Sequence, residues 1–275
     1  MGDANTVVHS TTLFPVPTRG RSIVTIHDLA FLDDPSVFTS RGARLFAQCV
    51  DRAQATADVV LVPSRCTWDA ALRHGFAESQ LRLLPLAAPA PLDVKPTVRD
   101  RPYILWVGTV EPRKNLVGLV DAFRSIADEI PHDLVLVGPQ GWGDDIASHM
   151  SGVESRIVRH GFASTNELAS LYRGADVFAF PSLAEGFGLP VLEAMSYGTP
   201  VVTSSGTATS ELVAEGAGIA VDPGDVAAIG QAIARVVSQR EFHAEMSRNS
   251  LTTARQYSWQ NSARMLIHMY RELAP

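Results

Sequence analysis

Short apolar runs with little polar alternation recur along this chain, and each is followed by residues with helical spacing. SIVTIHDL (22–29) precedes SRGARLFAQCVDRAQAT (40–56), and DVVLVPS (58–64) precedes RCTWDAALRHG (65–75). YILWVGTV (103–110) precedes NLVGLVDAFRSIADEI (115–130), and DVFAFPS (176–182) precedes LPVLEAMSYG (189–198). A strand with apolar residues on both faces must be covered on both, and an intervening helix lets the next strand run in the same direction. The chain is therefore restricted to α/β architecture with parallel sheets. HDLVLVGP, SRIVRHGF, TPVVTSS and GIAVDP supply further strands, while TNELASLYRGA, SELVAEGA and DVAAIGQAIARVVSQ supply further helices.

Five prolines fall within residues 85–102, where neither a helix nor a central strand can persist. At 275 residues the chain exceeds one ordinary core, so this segment reads as a domain boundary. The part after it holds a full series of βα units. The part before it holds two clear ones and the strand-like TVVHS (6–10).

Composition excludes several classes of function. The chain is 46% hydrophobic and 19% charged, and has no apolar run long enough to span a bilayer. Residues 1–20 lack a basic start and an apolar segment of the secretory type, which predicts a cytoplasmic protein. A formal charge of −6 argues against a nucleic-acid surface. Cys49 and Cys66, the two cysteines, have no histidine at metal-ligand spacing and read as reduced packing residues, so no structural metal is expected. His74, His132 and His160 likewise read as surface or structural groups.

In open parallel sheets, ligands meet the loops at the carboxyl ends of strands. One such loop is VGTVEPRKNL (107–116), in which Pro112 predicts a first helical turn carrying Arg113 and Lys114. Cations beside the positive end of a helix dipole are unfavourable, and a bound phosphate or diphosphate would resolve the conflict. The alternative is a solvated turn neutralised by Glu111. A second loop, PSLAEGFGLPVLEAMSYG (181–198), places Glu185 ahead of a helix begun by Pro190 and ended by Gly198, with Glu193 in its first turn. Gly186 and Gly188 would leave backbone N–H groups open to a phosphate or sugar hydroxyl, and paired carboxylates suit vicinal hydroxyls. Capping of its own helix is the alternative for Glu193. In VTIHDLAFL, His27 and Asp28 end a strand, either at the same cleft or as a structural pair. The glycine-rich LVGPQGWG (136–143) fits no phosphate-loop fingerprint and reads as a cleft wall carrying Gly138, Gly141 and Gly143.

Taken together, GTVEPRKN and EGFGLPVLE resemble glycosyltransferase family 4, the second stretch being the E-x7-E signature of that family. The order HGF, ELASLYRGADVFAFPS, GTPVV and a helix with Glu211 also fits. The resemblance implies a GT-B fold, two Rossmann-like parallel-sheet domains facing a cleft. They would comprise a partial acceptor-side domain (1–93), a nucleotide-sugar domain (94–257) and a last helix (258–275) returning to the first. It implies retaining, metal-independent transfer of a hexose from a GDP-mannose-like or UDP-sugar donor to a glycan or lipid-linked acceptor, with no cofactor. His27, Asp28, Lys114 and Glu185 would be catalytic. Gly108, Thr109, Arg113, Lys114, Gly186, Phe187, Gly188, Leu189 and Glu193 would bind the donor, with Lys114 and Arg113 on the diphosphate and Glu193 on the ribose. Thr109 stands where many relatives carry arginine.

Family members begin with a strand and a glycine-rich loop, whereas residues 1–26 offer only Gly2 and Gly20. The first sheet is thus expected to lack strands, to expose apolar faces and to recruit a partner chain. Two further functions compete: a nucleotide-sugar-binding protein with impaired catalysis, and a glycoside hydrolase using Glu185 and Glu193 as an acid and base. The location implied is the cytoplasm, with a peripheral contact at the inner face of the membrane.

Overall fold

The computed structural model describes residues 6–142 and 146–274. Gly2 and Gly143 fall outside them. Two units divide these residues: one drawn from 1–87, 185–187 and 257–275, the other from 88–184 and 188–256. Between 1–93 and 94–257 as read from the prolines, the division falls six residues earlier, and it assigns Glu185 to Phe187 to the first unit.

The first unit contains β1 (Val7–Ser10), β2 (Arg21–Thr25), α1 (Ala30–Asp33), α2 (Ser40–Thr56), β3 (Val59–Val62), α3 (Arg65–Arg73) and β4 (Leu81–Leu83). Its four strands are parallel and lie in the order β1-β2-β3-β4. Thr39 caps α2 at the Gly42 N–H and Ser64 caps α3 at the Thr67 N–H, which fixes where each helix leaves its loop. Alternate strand residues face opposite ways. Val24, Val60, Val62 and Leu81 pack with Val50, Ala53, Ala70 and Ala71 of α2 and α3. Ile23, Val59 and Leu61 pack with Met269, Leu266 and Tyr270 of α10 (Trp259–Leu273), the last helix. The expected bare apolar face is therefore corrected, because α10 covers it. The outer strand β1 is half-buried, and His9 ties it inward, bonding Tyr270 at 2.6 Å and Thr25 at 2.8 Å.

The second unit contains β5 (Tyr103–Val107), α4 (Leu116–Ile126), β6 (Asp133–Val137), β7 (Ile157–Gly161), α5 (Thr165–Gly174) and β8 (Val177–Phe180). These are followed by α6 (Leu189–Ser196), β9 (Val201–Ser204), α7 (Thr209–Leu212), β10 (Gly218–Val221), α8 (Val226–Ser238) and α9 (Arg240–Ala254). All six strands are parallel, in the order β7-β6-β5-β8-β9-β10. The chain winds outward from β5 to β7, then returns to β8 and winds outward on the other side. Its direction reverses between β5 and β8, so the loops leaving their carboxyl ends splay apart and open a crevice. VGTVEPRKN leaves β5 and PSLAEGFG leaves β8. The sheet order therefore places the two motif-bearing loops beside that crevice.

Candidate active site

The loop after β5 departs from the sequence expectation. Pro112 to Lys114 form a separate 3-10 turn, and the chain then passes through Asn115 at φ 52° and ψ 41° before α4 begins at Leu116. A left-handed residue interrupts helix geometry, so Arg113 and Lys114 precede the helix rather than occupying its first turn. Asn115 tolerates this conformation, and its side-chain amide donates to the carbonyls of Pro181 at 3.0 Å and Pro223 at 2.8 Å. It thereby joins the loops that follow β5, β8 and β10. No spacing rule in the sequence singles it out.

The two cations of the turn lie in different surroundings. Arg113 pairs with Glu111 at 2.7 Å and donates to the Ala184 carbonyl at 2.9 Å, while its own carbonyl accepts the Leu183 N–H at 2.8 Å. Arg113 thus staples the loop after β8 to the turn after β5, and the neutralisation by Glu111 considered for the whole turn applies to it. Lys114 is buried, with its ammonium 4.8 Å from the centroid of the Phe180 ring at the end of β8. That geometry sets a positive charge between the ends of β5 and β8, the two strands at the reversal. Gly108 and Thr109 are half-buried where the chain leaves β5. Ser182, just past β8, is fully buried and its hydroxyl has no hydrogen-bond partner among the described residues.

Helix α6 begins at Leu189, with Gly188 (φ 93°) as its cap and Pro190 in the first turn. Glu193 consequently lies in the second turn, not the first, and does not cap the helix. Its carboxylate instead accepts from the hydroxyl of Tyr172 on α5 at 3.0 Å. Burial raises the pKa of Glu193 above the usual carboxylate range, and the Tyr172 hydrogen bond offsets part of that rise. Beside it lies a cavity of about 110 Å³, lined by Glu193, Tyr172, Thr165, Ser196, Leu168 and Leu92 among others; neither Arg113 nor Lys114 lines it. Tyr172 is a site residue that the sequence reading missed, because a tyrosine inside an apolar helical stripe has the signature of packing.

In the first unit, Gly186 is buried rather than presented to a ligand. A Cβ placed there would lie 1.9 Å from the His27 carbonyl oxygen, and the Gly186 carbonyl accepts from Ser64 at 2.7 Å and Thr67 at 3.0 Å. Glycine is required at 186 for this close approach to His27 and Asp28, not to expose an amide. Phe187 is buried edge-on against Tyr257. Glu185 is half-buried in the same unit. His27 is exposed, and its Nε2 lies 3.1 Å from the Thr11 carbonyl. A carbonyl only accepts, so Nε2 carries a proton, and the neutral ring offers Nδ1 as an acceptor. Donation from Nδ1 as well would require the imidazolium. Among the described residues, no group of three or more His, Cys, Asp or Glu could hold a metal ion, and no helix is long and apolar enough to cross a membrane.

Residues 101–239 match the sequence model of the family described as Glycosyl transferases group 1. The chain belongs to this family. O-antigen chain mannosyltransferase B of Escherichia coli is 30% identical over 278 residues, covering 94% of this chain and 73% of that protein. A D-inositol 3-phosphate glycosyltransferase of Corynebacterium urealyticum is 34% identical over 183 residues, covering 61% of this chain and 42% of the relative. Among solved structures, sucrose-phosphate synthase from Thermosynechococcus elongatus superposes with a TM-score of 0.78 at 25% identity, covering 93% of this chain and 68% of that one. Anabaena HepE in complex with UDP-glucose gives a TM-score of 0.80 at 20% identity, covering 93% and 73%. The fold of this glycosyltransferase is thus GT-B, built from two parallel-sheet α/β units.

Proposed function

We propose that the protein transfers a hexose from a nucleoside diphosphate sugar to a glycan or lipid-linked acceptor, with retention of configuration and without a metal ion. The observation that carries this reading is the buried ammonium of Lys114 at the reversal between β5 and β8. That ammonium sets positive charge where the loops after β5 and β8 part, and the phosphates of a donor bound in the crevice would lie against it. As the bond from the anomeric carbon to the leaving phosphate oxygen breaks, that oxygen takes the electron pair and Lys114 stabilises it. The acceptor hydroxyl bonds to the anomeric carbon from the same face, and its proton passes to the leaving phosphate. Glu193, with its carboxylate in a mostly apolar cavity, is assigned to the ribose hydroxyls. Glu185 is assigned to the transferred sugar, and His27 Nδ1 to accepting a hydrogen bond from a sugar hydroxyl. The mannosyltransferase relative supports a mannosyl donor as the first to try.

Calorimetric titration with UDP and GDP tests the donor site. Binding of one of them, weakened by Lys114→Ala, is expected; equal binding by both proteins would refute the assignment. Nucleotide release from a panel of sugar donors, with and without EDTA, tests transfer and metal independence. Release no faster than that of a Glu185→Ala variant would leave a binding protein instead of an enzyme.

A further inference from the structure

The side chain that orients Glu193 is itself held from several sides. Tyr172 is 2% exposed. Its ring stacks on Tyr197 at 6.0 Å and 10°, and meets Phe178 of β8 edge-on at 5.6 Å and 66°. Its carbonyl accepts from the Thr199 hydroxyl at 2.5 Å. With ring and backbone both held, the phenolic O–H donates to Glu193 Oε2 at 3.0 Å. Burial and then the nearby Glu193 charge push the phenol far above its usual range, so it remains a donor throughout the range in which enzymes work.

An ionised carboxylate has about four acceptor positions, and Tyr172 occupies one. Those left adjoin a cavity whose other lining is largely apolar, so a ligand carrying two adjacent hydroxyls is the complement. We propose that Tyr172 is a positioning residue for donor binding, holding the Glu193 carboxylate in the orientation that receives the 2′ and 3′ hydroxyls of the nucleotide ribose. This rests on the ribose reading of Glu193 given above. Tyr172 acts through Glu193 and touches neither the sugar nor the phosphates.

The test compares nucleoside diphosphates with their 2′,3′-dideoxy forms, using UDP and GDP by calorimetry on the full chain. Wild-type protein should prefer the ribo form. Tyr172→Phe, which keeps the ring and loses the hydroxyl, should reduce ribo affinity about tenfold and leave dideoxy affinity unchanged. Glu193→Gln should abolish the same preference, and the double variant should lose little more than either single one. Equal weakening of both ligands by Tyr172→Phe would show a packing role and overturn the proposal. An undiminished ribo preference in that variant would overturn it while leaving the ribose reading intact. A wild-type protein indifferent to the ribose hydroxyls would remove the ribose reading and the proposal with it.

Discussion

Arg113 donates from its guanidinium to the carbonyl of Ala184 at 2.9 Å, across the gap between the turn after β5 and the loop after β8. The same guanidinium meets Glu111 at 2.7 Å, with both side chains mostly shielded from water. Removing one member of a shielded pair strands the other. Arg113→Ala should therefore destabilise the protein by about 3 kcal/mol, read from urea unfolding. Arg113→Ala combined with Glu111→Ala should cost less than the sum of the single changes. Strict additivity would show that the pair is not coupled.

Lys114 carries the donor-binding prediction. Its ammonium is buried against Phe180, and Lys114→Met keeps the packing of the stem while removing the charge, so the protein should stay folded. Nucleoside diphosphate affinity should fall by about 1.5–3 kcal/mol, roughly 10- to 150-fold in Kd. Parallel thermal melts and titrations separate the two quantities. A variant that melts much earlier and still binds normally would make Lys114 a structural residue.

Glu193 predicts a pH dependence with two opposite signs. Its folded pKa is raised, chiefly by burial, so between the unfolded and folded values the native state holds a proton that the unfolded chain has released. The stability this contributes is fully present below the unfolded carboxylate value and is lost as pH rises through the raised folded value. Ribose hydroxyls need the ionised form, so nucleotide affinity should fall as pH drops through that same raised value. Glu193→Gln should flatten the stability change across this window, raise the melting temperature at neutral pH and weaken the nucleotide. Melts and titrations across the acid range would check each sign. A Glu193→Gln protein less stable than wild type at neutral pH would contradict the burial argument.

The parallel sheets were legible because both-face burial leaves unbroken apolar strands such as Tyr103–Val107 and Val177–Phe180. The loops were legible because Pro112, Gly186 and the two glutamates interrupt that pattern. Less legible was what each loop residue does. Arg113 and Lys114 are adjacent and equally charged, yet a left-handed Asn115 and a carboxylate at Glu111 give them separate surroundings. Such a division depends on partners distant in sequence, here Ala184 and Phe180. Strand β4 and helix α9 escaped for another reason. The first is three residues long and lies against the proline segment, and the second has three buried residues, Met246, Ser250 and Ala254, too sparse a stripe to stand out.

Gly186 separates a packing requirement from a ligand requirement. If the glycine served to bare an amide for a phosphate, Gly186→Ala would lower nucleotide affinity while the protein stayed folded. The geometry argues otherwise: a Cβ would fall 1.9 Å from the His27 carbonyl oxygen and 2.6 Å from the Asp28 Cβ, with Ser64 and Thr67 holding the Gly186 carbonyl in place. Backbone on one side and a paired carbonyl on the other leave no flexible atom to yield, so the cost should reach about 3 kcal/mol or more. Gly186→Ala is thus expected to lower the urea midpoint markedly, with the loss arising in the first unit. Hydrogen exchange should locate it at the amides of Ile23, Val24 and Leu61, since those strands lie in the sheet of that unit. Normal stability combined with weakened UDP or GDP binding would return Gly186 to the ligand.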